Sequence, residues 1–174
     1  AQLDLPPNWG QPGSQAKLDV KTDLRGLAFD LPAPFNKTKA AAQRLSISTT
    51  LSDARRRVVK IRYGKDIGGT FELTAGTQGF ELERGAVVFG DSSPVLPEKR
   101  GLHVGGQLDR FSIDDWSEVT RPIENTHSGP KKLDDYPMLR VLEEIEVRAN
   151  TIEFLGQQFD GTHMTVQRDG ERGW

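Results

Sequence analysis

The sequence predicts a mostly β protein: an antiparallel meander that forms one strongly curved, groove-like sheet, with one short helix near residues 112–119. Apolar and polar residues alternate with a period of two along most of the chain, which is typical of strands with one apolar face. Short turn-like segments, such as 64–66 and 76–79, separate the alternating runs. Short connections indicate antiparallel neighbours, because a parallel pair needs a crossover of about a dozen residues or more.

Five segments follow from this pattern. Residues 1–16 are a loosely ordered start, 17–111 the meander, 112–121 the helix, 122–139 a linker, and 140–174 further strands of the same sheet. Inside the meander, alternation resumes after residues 25–26 as a run of Leu27, Phe29 and Leu31, and residues 149–150 and 160–161 are predicted turns. Ser112, followed three positions later by Asp115, fits the N-cap of a helix.

Composition excludes several functions. The 174 residues include no cysteine, so disulfides, thiolate zinc sites and a cysteine nucleophile are excluded. Lys and Arg number 23 against 25 Asp and Glu, a balance that disfavours nucleic acid as a partner. Mean hydropathy is −0.55, and no apolar run approaches the roughly 18 residues needed to span a bilayer. Because the chain starts at Ala1 and stops just after a strand-like run, we expect it to be part of a longer polypeptide.

Catalytic signals are weak. His103, His127 and His163 have no metal-binding spacing, so we expect no metal and no cofactor. The acidic pair 143–144 points to opposite faces of a strand, and the pair 114–115 fits the first turn of a helix. We therefore expect a protein that is not an enzyme. A hydrolase of β architecture stays open as a rival, and it requires Asp114, Asp115, Glu143 and Glu144 to converge.

The apolar face of such a sheet needs a cover, because one short helix cannot shield eight to ten strands. The sheet either folds over into a sandwich or barrel, which is the commoner solution, or curls into an open trough that meets an apolar partner other than protein. The arginine run 55–57 is read in two ways as well. It is a solvated rim at a strand entrance, or it grips an anionic head group or phosphate.

Three segments carry a family resemblance. Residues 24–37, LRGLAFDLPAPFNK, have the pattern LxGLxxDLPxPxxK. Residues 84–90, RGAVVFG, and 101–116, from GLHVGGQL to FSIDDW, add two looser β patterns. Together they resemble the YhdP branch of the AsmA-like (TamB-related) family of Gram-negative periplasmic bridge-like lipid-transfer proteins. The tail from Leu142 to Trp174 is similar to the family's following strands, so the resemblance covers the chain from about Lys17 to Trp174.

The resemblance implies a periplasmic segment of a protein anchored in the inner membrane, with the anchor absent from this chain. Its β-groove would conduct phospholipid between the inner and outer membranes. Phospholipid acyl chains, and other envelope proteins, are then the expected partners, and no catalytic residue is implied. The alternative is a non-catalytic structural or interaction module of the envelope with a sealed β-sandwich core. The candidate groove residues are the alternating apolar set Val59, Ile61, Tyr63, Phe71, Leu73, Phe80, Leu82, Val104, Leu108, Ile145, Val147, Ile152 and Phe154.

Overall fold

The computed structural model describes residues 2–5, 16–51, 53–77, 79–90, 93–120 and 141–168. These residues form nine strands and one helix. In chain order the elements are β1 (Gln2–Asp4), β2 (Lys17–Thr22), β3 (Leu45–Thr50), β4 (Arg56–Tyr63), β5 (Ile67–Gly76), β6 (Gly79–Phe89), β7 (Gly101–Ser112), α1 (Ile113–Thr120), β8 (Leu142–Phe154) and β9 (Gln157–Gln167).

All nine strands belong to one open sheet, and their order across the sheet follows their order in the chain. The mostly β class, the single groove-like sheet and the short helix are thereby confirmed. Within the described part of the chain, each strand packs extensively on its hydrogen-bonded neighbours and not on a second layer of strands. These residues therefore do not build the sandwich that would seal the apolar face.

Two neighbouring pairs differ from the predicted antiparallel pairing. Strands β6 and β7 run parallel, as do β7 and β8, whereas the other six pairs are antiparallel. The reason lies in the connections. Residues 90–100 join β6 to β7, and α1 with the residues after it joins β7 to β8, so both are long enough to cross the sheet.

Three local predictions are wrong. The run of Leu27, Phe29 and Leu31 is not a strand, because the segment forms a single bridge between Phe29 and Lys37 inside the long β2–β3 connection. Residues 149–150 lie within β8, where the alternation slips by one position and leaves both Ala149 and Ile152 buried. Residues 160–161 lie within β9, and the reversal between these two strands is at residues 155–156.

The helix begins where the sequence indicates. The backbone N–H of Asp115 donates to Ser112 Oγ at 3.1 Å, which satisfies one of the free amides of the first turn. The predicted linker at 122–139 lies outside the described residues, as do most residues of the predicted N-terminal segment. Gln2–Asp4 of that segment pairs with β2 as the edge strand β1.

The buried core lies at one side of the sheet. Ile67, Phe89, Leu108, Val147 and Ile152 form one apolar cluster across β5 to β8, and α1 contributes Ile113 to it. Among the described residues, no large side chain is fully buried. A sheet with one layer of strands and a partial cover leaves much of its apolar face accessible, and this arrangement positions the candidate site.

Candidate functional site

The apolar face is continuous across the sheet. One line of paired residues passes from β2 to β9 and is aliphatic at every strand except β5, which supplies Gly69. Neighbouring strands are about 4.8 Å apart, so eight strands span roughly 34 Å, whereas one lipid leaflet contributes about half of a roughly 30 Å hydrocarbon core. The members of the line are Val20, Ile47, Ile61, Gly69, Val87, Val104, Ile145 and Val166.

The thirteen candidate groove residues share this apolar face but lie in two environments. Tyr63, Val104, Leu108, Ile145, Val147 and Ile152 belong to the buried cluster or pack against it. Val59, Ile61, Phe71, Leu73, Phe80, Leu82 and Phe154 lie outside that cluster, and Phe80 and Phe154 are 43% and 44% exposed. Their role in a lipid groove stays a prediction.

Phe71 lies on the part of the apolar face that is outside the buried cluster. Its ring occupies the space beside two glycines on the same face: a Cβ on Gly69 would come within 2.6 Å of the ring, and one on Gly85 within 2.7 Å. Gly85 is also the cross-strand partner of Phe71. The Phe71 ring therefore occupies space that is free because both neighbouring positions lack a side chain.

A long loop covers the part of the apolar face that contains the buried cluster. Residues 23–44, between β2 and β3, carry Phe35 onto the apolar face, where its ring centroid is 6.2 Å from that of Phe89 and 5.7 Å from that of Trp116 in α1. The indole Nε1 of Trp116 donates to the carbonyl of Ala33 at 3.4 Å. Loop and helix thus close together over the β6–β8 part of the sheet. We call residues 23–44 the covering loop.

Lys37 secures the covering loop from within. Its side chain is 7% exposed, and Nζ donates to the carbonyls of Leu27 at 2.7 Å and Thr38 at 3.1 Å. The backbones of Phe29 and Lys37 also exchange two hydrogen bonds, at 2.8 and 3.0 Å. The LxGLxxDLPxPxxK segment is therefore a folded cap with a buried lysine at its end.

Helix α1 is fixed at its other side by a charged contact. The two carboxylate oxygens of Asp114 accept the backbone N–H groups of Leu155 and Gly156, each at 2.9 Å. These residues form the β8–β9 turn, where Leu155 has a φ of 52°. Asp114 is thus a positioning residue that ties the helix to the end of the sheet.

The outer face of the sheet is polar and tightly paired. Glu72 is 2% exposed and accepts Arg56 Nε at 2.7 Å and Arg84 Nε at 2.5 Å. Arg84 also donates to the carbonyl of Pro97 at 3.0 Å, and Thr70 to that of Pro94 at 3.0 Å. The β6–β7 connection is therefore held against the outer face of the sheet.

The two described histidines each face one glutamate on a neighbouring strand, and Asp114 holds the β8–β9 turn. His103 Nδ1 is 3.3 Å from Glu144 Oε2, and His163 Nε2 is 3.2 Å from Glu146 Oε1. Hydrogen bonds from Gln167 and His103 lower the pKa of Glu144. His127 lies outside the described residues. Within the ranges that the structure describes, no three His, Asp or Glu side chains are placed to hold a metal ion.

Sequence reasoning missed the residues that divide the apolar face. Phe35, Lys37 and Trp116 were not candidate site residues, although all three lie in the segments that carry the family resemblance. No local pattern places an aromatic side chain from a loop on a strand more than fifty residues later. The described part of the chain contains no helix with the length and hydropathy of a membrane span.

The described residues define a class of protein: a single open sheet whose apolar face is longer than the covering loop and α1 together cover. The sequence model of a family described as YhdP protein matches residues 1–174. The chain belongs to the YhdP family, a family of cell-envelope proteins. No curated protein and no solved structure matched the chain significantly.

Proposed function

We propose that this chain is a periplasmic segment of an inner-membrane-anchored protein and that its apolar face conducts phospholipid between the inner and outer membranes. One observation carries the proposal: the apolar face runs unbroken from β2 to β9 and meets no second layer of strands in the described residues. Family membership supports the envelope setting.

The energetics favour acyl chains as the occupant of the uncovered region. Burying one methylene group is worth about 0.8 kcal/mol, so a lipid tail of more than ten methylenes repays several kcal/mol of lost freedom. Phe71, Leu73 and Leu82 offer partly exposed apolar surface on adjacent strands. The polar head group stays outside because the strand ends are polar, with Lys21, Arg44 and Lys65 exposed at one of them.

The open ends of the sheet support conduction over simple storage. β1 and β9 are each paired on one side, so the line of apolar residues reaches the β9 edge and begins one strand inside the β1 edge of the described sheet. Further strands added at either edge would lengthen the trough without altering it. Along the part of the face on the β2–β5 side, a lipid would then move without leaving hydrocarbon contact, whereas the covering loop and α1 close the part over β6–β8.

Photo-crosslinking in living cells tests the proposal. A photoreactive phenylalanine analogue replaces Phe71 on the apolar face, and a matched analogue replaces Lys60, which is exposed on the outer face of the adjacent strand. We expect phospholipid adducts from position 71 and none from position 60. Adducts with protein alone at both positions would favour the non-catalytic structural module.

A further inference from the structure

The arginine run 55–57 is divided by the pleat of β4. Arg56 points to the outer face and pairs with Glu72, with 2.7 Å between Nε and Oε1. Arg55 is exposed ahead of the strand. Arg57 lies on the apolar face, opposite Leu73 of β5. The three adjacent arginines therefore lie in three different environments. Arg57 takes no part in the ion pairing of Arg56 with Glu72 on the outer face.

Arg57 is a cation without an anion. Its guanidinium carbon lies 4.5 Å from the ring centroid of Phe80, and its Nε is shielded from solvent with no hydrogen-bond acceptor. Its neighbours on the same face are Val59 along the strand and Leu73 across from it. Glu72 of β5 is turned to the other face, where it pairs with Arg56. No described carboxylate forms an ion pair with Arg57.

This arrangement favours an external anion. A guanidinium held on an apolar face without a carboxylate gains free energy when an anion reaches its partly exposed end and supplies hydrogen-bond acceptors. The planar guanidinium presents parallel N–H groups that match two oxygens of a phosphate, and stacking on an aromatic ring holds its plane in place. The side chain is thus oriented before the ligand arrives.

We propose that Arg57, stacked on Phe80, binds the phosphate of a glycerophospholipid whose acyl chains lie on the apolar face. The inference rests on the proposed function and adds a head-group contact to it. Arg57 is the second residue of β4, at the end of that strand nearest the β5–β6 turn. Phe80 is 43% exposed and lies beside the same turn. A phosphate held there lies at the rim, and the tails continue over Leu73 and Val59.

Binding measurements on the purified chain test the site with three ligands: dioctanoyl phosphatidylglycerol below its micelle concentration, dioctanoylglycerol, which lacks the phosphate, and inorganic phosphate. Arg57→Gln removes the charge and keeps a planar group for stacking, whereas Arg57→Lys keeps the charge and removes the fork. Lys60→Gln is the matched control, since it removes one cation from the outer face of the same strand.

We expect Arg57→Gln to weaken phosphatidylglycerol binding about tenfold, as for one charged hydrogen-bonded pair, and to leave dioctanoylglycerol binding within about twofold. Arg57→Lys should fall between, and Lys60→Gln should match the unaltered chain. The unfolding midpoint of Arg57→Gln is measured alongside. An equal loss for both lipids overturns the inference, because it would indicate a structural role for Arg57.

Unchanged phosphatidylglycerol binding by Arg57→Gln overturns the head-group contact and leaves the proposed function standing. If the unaltered chain binds neither lipid, the proposed function fails, and the inference fails with it. Binding of inorganic phosphate alone, dependent on Arg57, would indicate a site for free phosphate and would overturn the lipid assignment.

Discussion

The two regions of the apolar face are built from similar residues and differ in how deeply those residues are buried. The covered half, comprising Ile67, Phe89, Leu108, Val147 and Ile152, lies beneath the covering loop and α1. The open half, comprising Val59, Phe71, Leu73, Phe80 and Leu82, lies outside the buried cluster and meets no such cover among the residues that the structure describes. The difference teaches that alternation creates an apolar face, whereas long-range contacts decide which part of it becomes protein core.

The largest expected effect is a difference in the free energy of unfolding between two phenylalanine variants, one in the cover and one in the open half. Phe35→Ala should lower the free energy of unfolding by about 3 kcal/mol, because it empties the space between Phe89 and Trp116. Phe80→Ala should cost about 1 kcal/mol or less, because that ring is 43% exposed in the folded protein. Urea unfolding followed by intrinsic fluorescence measures both. Equal losses would break the distinction between the covered and open halves.

A second prediction concerns how the covering loop is held. Lys37→Met should cost about 2 kcal/mol, since the carbonyls of Leu27 and Thr38 lose a charged donor. Hydrogen exchange should show faster exchange at the amides of Phe29 and Lys37 and little change in β4. The exposed neighbour Lys39 provides the control, and Lys39→Met should leave exchange unaltered. Unchanged protection at Phe29 in the Lys37 variant would contradict the prediction.

Tyr63 lies at the boundary between the halves and gives a smaller effect of opposite sign. Its hydroxyl is buried without a hydrogen-bond partner, and burial raises its pKa. Tyr63→Phe should therefore stabilise the fold by about 1 kcal/mol near neutral pH. A raised pKa favours the neutral phenol in the folded state, so the native protein should lose stability as pH rises above about 10, and the variant should lose less. Destabilisation by Tyr63→Phe at pH 7 would indicate that the hydroxyl is satisfied.

The smallest effect lies on the outer face behind the covered half. The lowered pKa of Glu144 means that its contribution is present above the unfolded pKa, about 4.3, and is lost as pH falls through the lower folded value. Because this carboxylate is about one third exposed, Glu144→Gln should remove about 0.5 kcal/mol or less. Unfolding free energies from pH 7 to pH 3 measure it, with the exposed Glu98→Gln as control. A larger loss would indicate that the outer face supports the covered half.

Much of the strand pattern could be predicted because side chains of a strand point alternately to its two faces. The runs at Val59, Ile61 and Tyr63, and at Phe71 and Leu73, lie on one face as predicted. The turn predictions failed at 149–150 and 160–161 because an irregularity in a strand and a reversal share the same small and polar residues. The two parallel pairs depend on connections whose path no local pattern encodes.

The sequence predicted which residues share the apolar face, and it did not predict which of them are covered and which are open. Alternation alone identified Leu108 and Phe80 as residues of the same face, yet one is 6% exposed and the other 43%. Their difference depends on whether Phe35 and Trp116 reach them. Arg57 is a second example. The sequence shows three equivalent arginines, but the pleat of the strand turns Arg56 toward Glu72 and Arg57 toward Phe80.

The sequence by itself determined that this chain has one apolar and one polar surface, a short capped helix and a family, because these follow from residue order over short distances and from motif identity. The tertiary structure decided the parallel pairing, the covering loop and the unpaired Arg57. These depend on contacts between residues far apart in the chain, such as Phe35 with Phe89, which no pattern over a short stretch of sequence specifies because the chain between them must first be closed into a loop at an entropic cost.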